Sequence, residues 1–202
     1  MFAWTCLPAV GATIEHVYPR LKISLTATDS VHLSAMLDLN QLDIAFMAMP
    51  RARGSVVVEP LAETEICWVG SAAQPLERRE IQPSDLKDRS ILTASPPSLL
   101  SSVIADWFAA ESLPPPPLSI CNNVAIIAKL VISGVAVSAL PICMVKQEID
   151  AGLLIHYQQR IPFKPLRLSA AYPASARGRG MTSVLRIARS IVESSGLYRP
   201  VQ

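Results

Sequence analysis

The sequence has little charge and no marked excess of either sign. Of its 202 residues, 18 are Lys or Arg and 16 are Asp or Glu, so the formal net charge is only +2. A domain that binds nucleic acid by itself carries a concentrated basic surface. The nearest candidate is RGRG (177–180), and two arginines in a turn before a helix are typical of a solvated loop. We therefore do not expect this chain to bind DNA directly.

Motifs for catalysis and metal binding are also missing. The three histidines are scattered, and HExxH, GxSxG and GxxxxGK[ST] are absent. The four cysteines lack the CxxC spacing that binds zinc and lie in apolar runs, which predicts buried free thiols and a reducing compartment. We expect no enzyme activity, no metal and no cofactor, although a catalytic triad assembled from distant positions stays an alternative.

The long apolar stretch 124–145 does not fit a membrane span. A span needs about 20 apolar residues in one helix, and Gly134 and Pro141 interrupt this one. The pattern instead predicts a helix over 123–133, a left-handed residue at Gly134, and a buried strand over 135–140. The helix residues predicted to face the core are Ile126, Ile127, Leu130 and Val131. The N-terminus also lacks the basic start and long apolar stretch of a signal peptide.

Helical and strand patterns alternate along the rest of the chain. A helix is predicted within 8–19, a strand over 21–28, a helix with Ser30 as its N-cap, and a strand over 42–48. A strand, helix and strand within about 30 residues form the βαβ unit of a parallel sheet. Further elements are predicted as strands over 90–93 and 118–121 and helices over 99–111 and 181–194. The fold class is therefore α/β.

Three phrases resemble the effector-binding portion of LysR-type transcriptional regulators. They are LPAVGATIEHVYPRLKISL (7–25), SVHLSAMLDLNQLDIAF (30–46) and LVISGVAVSALP (130–141), and they occur in the family's order and spacing. The resemblance implies two Rossmann-like subdomains of periplasmic-binding-protein type, joined by two crossover strands. The expected boundaries are 1–69 plus 168–202 for subdomain I and 70–167 for subdomain II.

The resemblance also implies a small-molecule effector in a cleft between the subdomains, where helix N-termini direct free N–H groups at the ligand. A carboxylate is the expected class of effector. The positions that match the family's binding residues are Thr28, Ser30, Thr93, Ser95, Ser98, Leu100 and Asn123. Each of Ser30, Ser98 and Asn123 has an alternative interpretation as a helix N-cap without any ligand contact.

Two positions depart from the family's pattern. The hydroxyl that the family's first helix supplies falls near Met1, and Thr5 is a weak replacement. An arginine that follows the LDIAF strand in responders to aromatic acids is displaced here to Arg51 or Arg53. These differences weaken the sequence support for a strongly anionic effector.

The resemblance predicts a cytoplasmic effector-sensing domain that forms a homodimer or homotetramer and contacts no membrane. In an antiparallel dimer, residues 8–17 and 21–27 would face the partner's helix over 123–134. No segment matches the family's winged helix-turn-helix, so DNA contact is expected only through an N-terminal domain outside these residues. A solute-binding protein of a transport system, which has the same fold, is the alternative.

Overall fold

The computed structural model describes residues 1–48, 50, 55–96, 98–176 and 178–201. Its helices are α1 (Phe2–Thr5), α2 (Leu7–Val17), α3 (Ser30–Asp38), α4 (Pro83–Leu86), α5 (Leu99–Ala109), α6 (Val124–Ile132), α7 (Ile142–Asp150) and α8 (Arg179–Ser194), with a 3-10 turn at Ala174–Ala176. Its strands are β1 (Ala45–Ala48), β2 (Val56–Thr64), β3 (Ile66–Ser71), β4 (Glu80–Ile81), β5 (Ile91–Thr93), β6 (Leu118–Ile120), β7 (Val137–Pro141), β8 (Leu154–Gln159) and β9 (Leu166–Pro173). Among the described residues, no helix is both long and apolar enough to cross a bilayer.

The chain folds into two compact units. Unit 1 consists of Met1–Thr64 and Pro165–Gln202, and unit 2 consists of Glu65–Lys164. The boundaries expected from the sequence, 69/70 and 167/168, fall inside β3 and β9. All of β3 pairs with β7 and β8 in unit 2, and all of β9 pairs with β2 in unit 1. The observed boundaries therefore lie a few residues earlier in the chain, at 64/65 and 164/165.

Unit 1 is built on a three-stranded antiparallel sheet in the order β1-β9-β2. One face packs against α1, α2 and α8, with a core that includes Val10, Ile14, Leu168 and Val192. The other face packs against α3 through Leu33 and Leu37. Helices thus cover both faces of this sheet, as in other layered α/β proteins.

The strand predicted over residues 21–28 is wrong, and so is the βαβ unit that depends on it. Leu21, Ile23 and Leu25 alternate with polar residues, but their side chains are 51%, 45% and 64% exposed. Among the described residues, β1 pairs with β9 and has no second neighbour. Alternation produces a strand only where an adjacent strand accepts and donates the ladder hydrogen bonds, and this segment has none in the described structure.

Unit 2 contains a six-stranded mixed sheet in the order β4-β8-β3-β7-β5-β6. Strand β5 runs parallel to both β6 and β7, so the successive connections through α5 and α6 are parallel crossovers. The helix, glycine and strand predicted over 123–141 are confirmed: α6 ends before Gly134, whose φ is +80°, and β7 follows. Two details differ. In the helix, Ile126 is exposed, Leu130 is half-buried and Ala128 is buried. The strand begins at Val137 and not at residue 135, because Val135 is exposed.

The predicted burial of the cysteines is confirmed for three of the four. Cys6, Cys67 and Cys143 are buried free thiols, whereas Cys121 is half-buried. Burial raises the pKa of Cys67 to about 12, and the nearby Glu65 contributes to the shift. The Cys67 thiol is therefore protonated and unreactive at neutral pH. Cys121 lies at the carboxyl end of β6, beside the residues considered next.

Candidate functional site

Several predicted binding residues meet at the carboxyl ends of β5 and β6 in unit 2. The Cys121 N–H donates to the Thr93 carbonyl oxygen at 2.9 Å, and the Ser95 N–H donates to Asn122 Oδ1 at 2.9 Å. These bonds hold the segment after β5 against the segment after β6. They bring Thr93, Ser95 and Asn123 to one edge of the sheet, as the parallel crossovers require.

Two helices begin at this edge, and each has the predicted N-cap. Ser98 Oγ accepts the Leu100 N–H at 3.2 Å at the start of α5. Asn123 Oδ1 accepts the N–H groups of Ala125 and Ile126 at 3.0 and 3.2 Å at the start of α6. The N-cap interpretation of both residues is confirmed, while their contact with a ligand stays a prediction. Neither helix has an acidic residue in its first turn, so the positive ends of both helix dipoles are uncompensated there.

Thr93 differs from the other residues of this group because its buried hydroxyl is unsatisfied in the described structure. Its side chain is 1% exposed, and its hydroxyl has no hydrogen-bond partner among the described residues. A buried hydroxyl without a partner costs about 1–3 kcal/mol. Thr93 is the last residue of β5, the strand that precedes α5.

The N-cap predicted for α3 in unit 1 is wrong by one residue. Asp29, not Ser30, caps the helix, and its Oδ1 accepts the N–H groups of Val31 and His32 at 2.9 Å each. Ser30 is the first helical residue, and its carbonyl accepts the Ser34 hydroxyl at 2.8 Å. Both residues have suitable side chains, but the extended φ and ψ of a cap (−73° and 165°) occur at Asp29.

Asp29 also changes the electrostatics of this helix end. The backbone N–H of His32 and then its imidazole hold the pKa of the Asp29 carboxyl below its usual range. Asp29 is therefore ionised at neutral pH and compensates the positive end of the α3 dipole. The α3 N-terminus, with Thr28 and Ser30 beside it, attracts an anion less strongly than the N-termini of α5 and α6.

Two further candidates, Thr5 and Leu100, form hydrogen bonds within the fold. Thr5 Oγ1 lies 2.6 Å from Tyr198 Oη, so this hydroxyl already has a partner within unit 1. Leu100 is buried and contributes its backbone N–H to the Ser98 cap. Arg51, Arg53 and Arg177 lie outside the described residues. Within the described ranges, no group of three or more His, Cys, Asp and Glu side chains is arranged to hold a metal ion.

Sequence reasoning missed two contributors to the edge of unit 2. The Asn122 side chain accepts a hydrogen bond from the Ser95 backbone, and the Cys121 backbone N–H donates one to the Thr93 carbonyl. The dipeptide Asn122–Asn123 directly after an apolar strand was an available signal, since asparagine side chains readily bond nearby backbone groups. A separate cavity of about 200 Å³ lies at the amino ends of β5 and β7, and its lining includes Gln74, Arg89 and Gly134 but none of the predicted residues.

Two α/β units, connected by a chain that passes between them twice, characterise effector-binding domains with a fold like that of periplasmic binding proteins. The family model described as the LysR substrate binding domain matches residues 1–190 of this chain. The chain therefore belongs to the LysR substrate-binding-domain family.

Individual relatives agree with this assignment. The chain is 22% identical over 144 residues to the HTH-type transcriptional regulator CysL of Bacillus subtilis (strain 168), covering 71% of this chain and 48% of CysL. The chain thus spans about half the length of that curated relative.

Solved structures show the same fold. The regulatory domain of MetR, a LysR family regulator from N. meningitidis, superposes with a TM-score of 0.76 at 17% identity, covering 96% of this chain and 89% of that one. The BenM effector-binding domain with its effector benzoate gives a TM-score of 0.77 at 19% identity, with coverages of 98% and 91%.

Proposed function

We propose that this chain is the effector-sensing domain of a LysR-type transcriptional regulator that acts in the cytoplasm. Membership of the family carries the proposal, because CysL, MetR and BenM are transcriptional regulators or their domains. These relatives favour a regulator over the solute-binding protein of a transport system. DNA contact would come from an N-terminal domain outside these residues. A ligand would act by binding one conformation of the domain more tightly than another, and its effect is limited to that difference in affinity.

The effector class that fits unit 2 is a small organic carboxylate. The Thr93 hydroxyl has no partner in the part of the chain that the structure describes, and the first turns of α5 and α6 contain no acidic residue. A carboxylate oxygen can accept from the hydroxyl and is favoured near helix N-termini. Ser95, Ser98, Leu100 and Asn123 supply the surrounding backbone and side-chain polar groups. BenM, whose effector is benzoate, is a relative with a ligand of this class.

For unit 1, we propose that Thr28 and Ser30 contact an effector at the N-terminus of α3. Because Asp29 is ionised and exposed, a hydroxyl or amino group of the ligand suits this helix end better than a second carboxylate does. Hydroxy acids and amino acids carry groups that suit each of these helix ends. A thermal-shift screen of carboxylates, hydroxy acids, amino acids and their neutral amides would show which of these compounds binds to the protein.

The decisive experiment combines binding with the reactivity of Cys121. Because Cys121 is half-buried beside Thr93 and the other three cysteines are buried, a disulfide reagent should modify Cys121 first, and a bound carboxylate should slow that reaction. Thr93→Val removes only the hydroxyl and should weaken the carboxylate about tenfold or more, as expected for a hydrogen bond to a charged group. Ser98→Ala should also weaken binding, whereas Ser102→Ala on the exposed side of α5 is the matched control.

The results separate the alternatives clearly. A carboxylate that binds Thr93→Val, Ser98→Ala and wild-type protein equally well would refute the site in unit 2. A carboxylate that binds wild-type protein and Ser30→Ala equally well would refute the proposed contact of Ser30 with the effector.

We also propose that the chain forms a homodimer or homotetramer through apolar residues exposed on both units. In unit 1, Leu21, Ile23 and Leu25 form an exposed apolar row. In unit 2, Ile126 on α6 and Val135 after it are exposed as well. Clustered exposed apolar side chains are typical of protein interfaces. Packing of α2 and residues 21–27 on α6 of a second copy would cover them.

A further inference from the structure

Unit 1 contains a groove that the proposed effector site does not use. It lies between α8 and the strands β2 and β9, and it has a volume of about 570 Å³. Ligand pockets for small organic molecules commonly measure about 300–1,000 Å³. No residue of the groove is among the predicted effector-binding positions, so its occupant can be inferred independently of the proposed function.

The floor of the groove is apolar because apolar residues recur at helical spacing along α8. Met181 and Leu185 are four residues apart and therefore lie on one side of the helix, and both line the groove together with Tyr172 on β9. Tyr172 and Leu185 are buried members of the unit 1 core, and Met181 packs against the same core. An apolar ligand group placed here would extend that core and lose contact with water.

Charged side chains lie along the rim, and one of them remains available. The Tyr172 hydroxyl donates to Glu59 Oε1, and the guanidinium of Arg189 lies 3.7 Å from Glu59 Oε2. The two oxygens of Glu59 are thus already engaged. Arg186 also lines the groove, is exposed, and forms no ion pair within the part of the chain that the structure describes. With two arginines and one glutamate, the rim favours an anion.

We propose that this groove binds a small organic anion with an apolar body, such as a medium-length or aromatic carboxylate. The apolar body would lie on Tyr172, Met181 and Leu185, and the carboxylate would pair with the guanidinium of Arg186. Guanidinium groups bind carboxylates through two parallel hydrogen bonds, which gives a stronger and more directional contact than a single charge does. The groove is a second ligand site, contained within unit 1.

Methionine-methyl NMR with octanoate as the probe tests this inference on the full 202-residue chain. Of the six methionines, Met181 lines the groove, so its methyl signal should shift saturably with octanoate. Met144 on α7 in unit 2 is the internal reference. The neutral probe octanamide should bind about tenfold more weakly, because the charge-assisted contact is lost.

Variants of Arg186 show whether the charge acts locally. Arg186→Gln should weaken octanoate about tenfold, and Arg186→Lys should restore part of the affinity because it retains the charge. Arg167→Gln is the matched control, since it removes one positive charge from unit 1 outside the groove, where Arg167 pairs with Glu63. Each variant changes an exposed or half-exposed side chain, so folding can be verified by an unchanged methyl spectrum without ligand.

Three results would overturn the inference. They are an unshifted Met181 signal at saturating octanoate, equal affinities of wild type and Arg186→Gln, and equal binding of octanoate and octanamide. Thr93→Val provides the separation from the proposed effector site: the Met181 response should be unchanged in this variant. A response that disappears with Thr93→Val would mean that the groove is not a site of its own.

Discussion

His32 Nδ1 lies 2.6 Å from Asp29 Oδ2 at the first turn of α3, while the other carboxylate oxygen of Asp29 caps the helix. One side chain thus engages two backbone N–H groups and an imidazole. This arrangement is local and largely exposed, so its contribution to stability comes mainly from the cap.

Asp29→Ala should lower the free energy of unfolding by about 1 kcal/mol, which is typical for loss of an N-cap. Asp29→Asn retains a capping oxygen and should lower it less. Asp38→Ala at the other end of α3 is the control and should be neutral or slightly stabilising, because an acidic residue is unfavourable there. Urea denaturation at neutral pH measures all three, and equal losses for Asp29→Ala and Asp38→Ala would contradict the role of the cap.

The stability difference between wild type and Asp29→Asn should depend on pH. In the folded chain, the pKa of Asp29 lies below the ordinary value of 3.8 for an aspartate side chain. Its charged form therefore stabilises the fold above the unfolded pKa, and this contribution disappears as the pH falls through the lower folded pKa. Denaturation at neutral pH and at acidic pH below 3.8 should show the difference shrinking. A difference that stays constant or grows in acid has the wrong sign for this mechanism.

Gly134→Ala should destabilise unit 2 for conformational reasons. Gly134 has φ of +80°, and an added Cβ would lie 2.8 Å from Cδ of Gln74. The left-handed conformation costs a non-glycine residue about 1–2 kcal/mol, whereas the Gln74 side chain is flexible and can move. The loss in Gly134→Ala should therefore be nearly the same in a Gln74→Ala background, measured by urea denaturation. Full rescue by Gln74→Ala would show that the steric contact dominates.

Leu25→Lys should weaken self-association while leaving the fold intact. Leu25 is 64% exposed in the row proposed to contact a second copy, so a charge there is harmless to the monomer and unfavourable in a buried interface. Leu39→Lys is the matched control, since Leu39 is 67% exposed but lies outside that row. Sedimentation velocity should show dissociation for Leu25→Lys and for Ile126→Lys only. Wild-type protein that stays monomeric at high concentration would refute the proposed dimer.

Whether a sequence prediction was correct depended on whether its signal lies in neighbouring residues. The segment from Asn123 to Pro141 was predicted well because its cap, its left-handed glycine and its apolar strand each depend on neighbouring residues. Residues 21–28 were wrongly predicted because alternation does not reveal whether a pairing strand is present. Asp29 and Ser30 both have capping side chains, and only the backbone geometry decides between them. Thr93 was proposed by resemblance, whereas the lack of a hydroxyl partner among the described residues depends on packing that no local pattern contains.

The division of unit 1 into two chain segments has a consequence for synthesis on the ribosome. Its core needs Leu168 on β9 and Ala188 and Val192 on α8, which are translated after all of unit 2. Because domains fold as units while the chain emerges, Glu65–Lys164 can reach its native state first. Residues 1–64 must wait for Pro165–Gln202, and until then the apolar faces of their helices lack the partners that bury them.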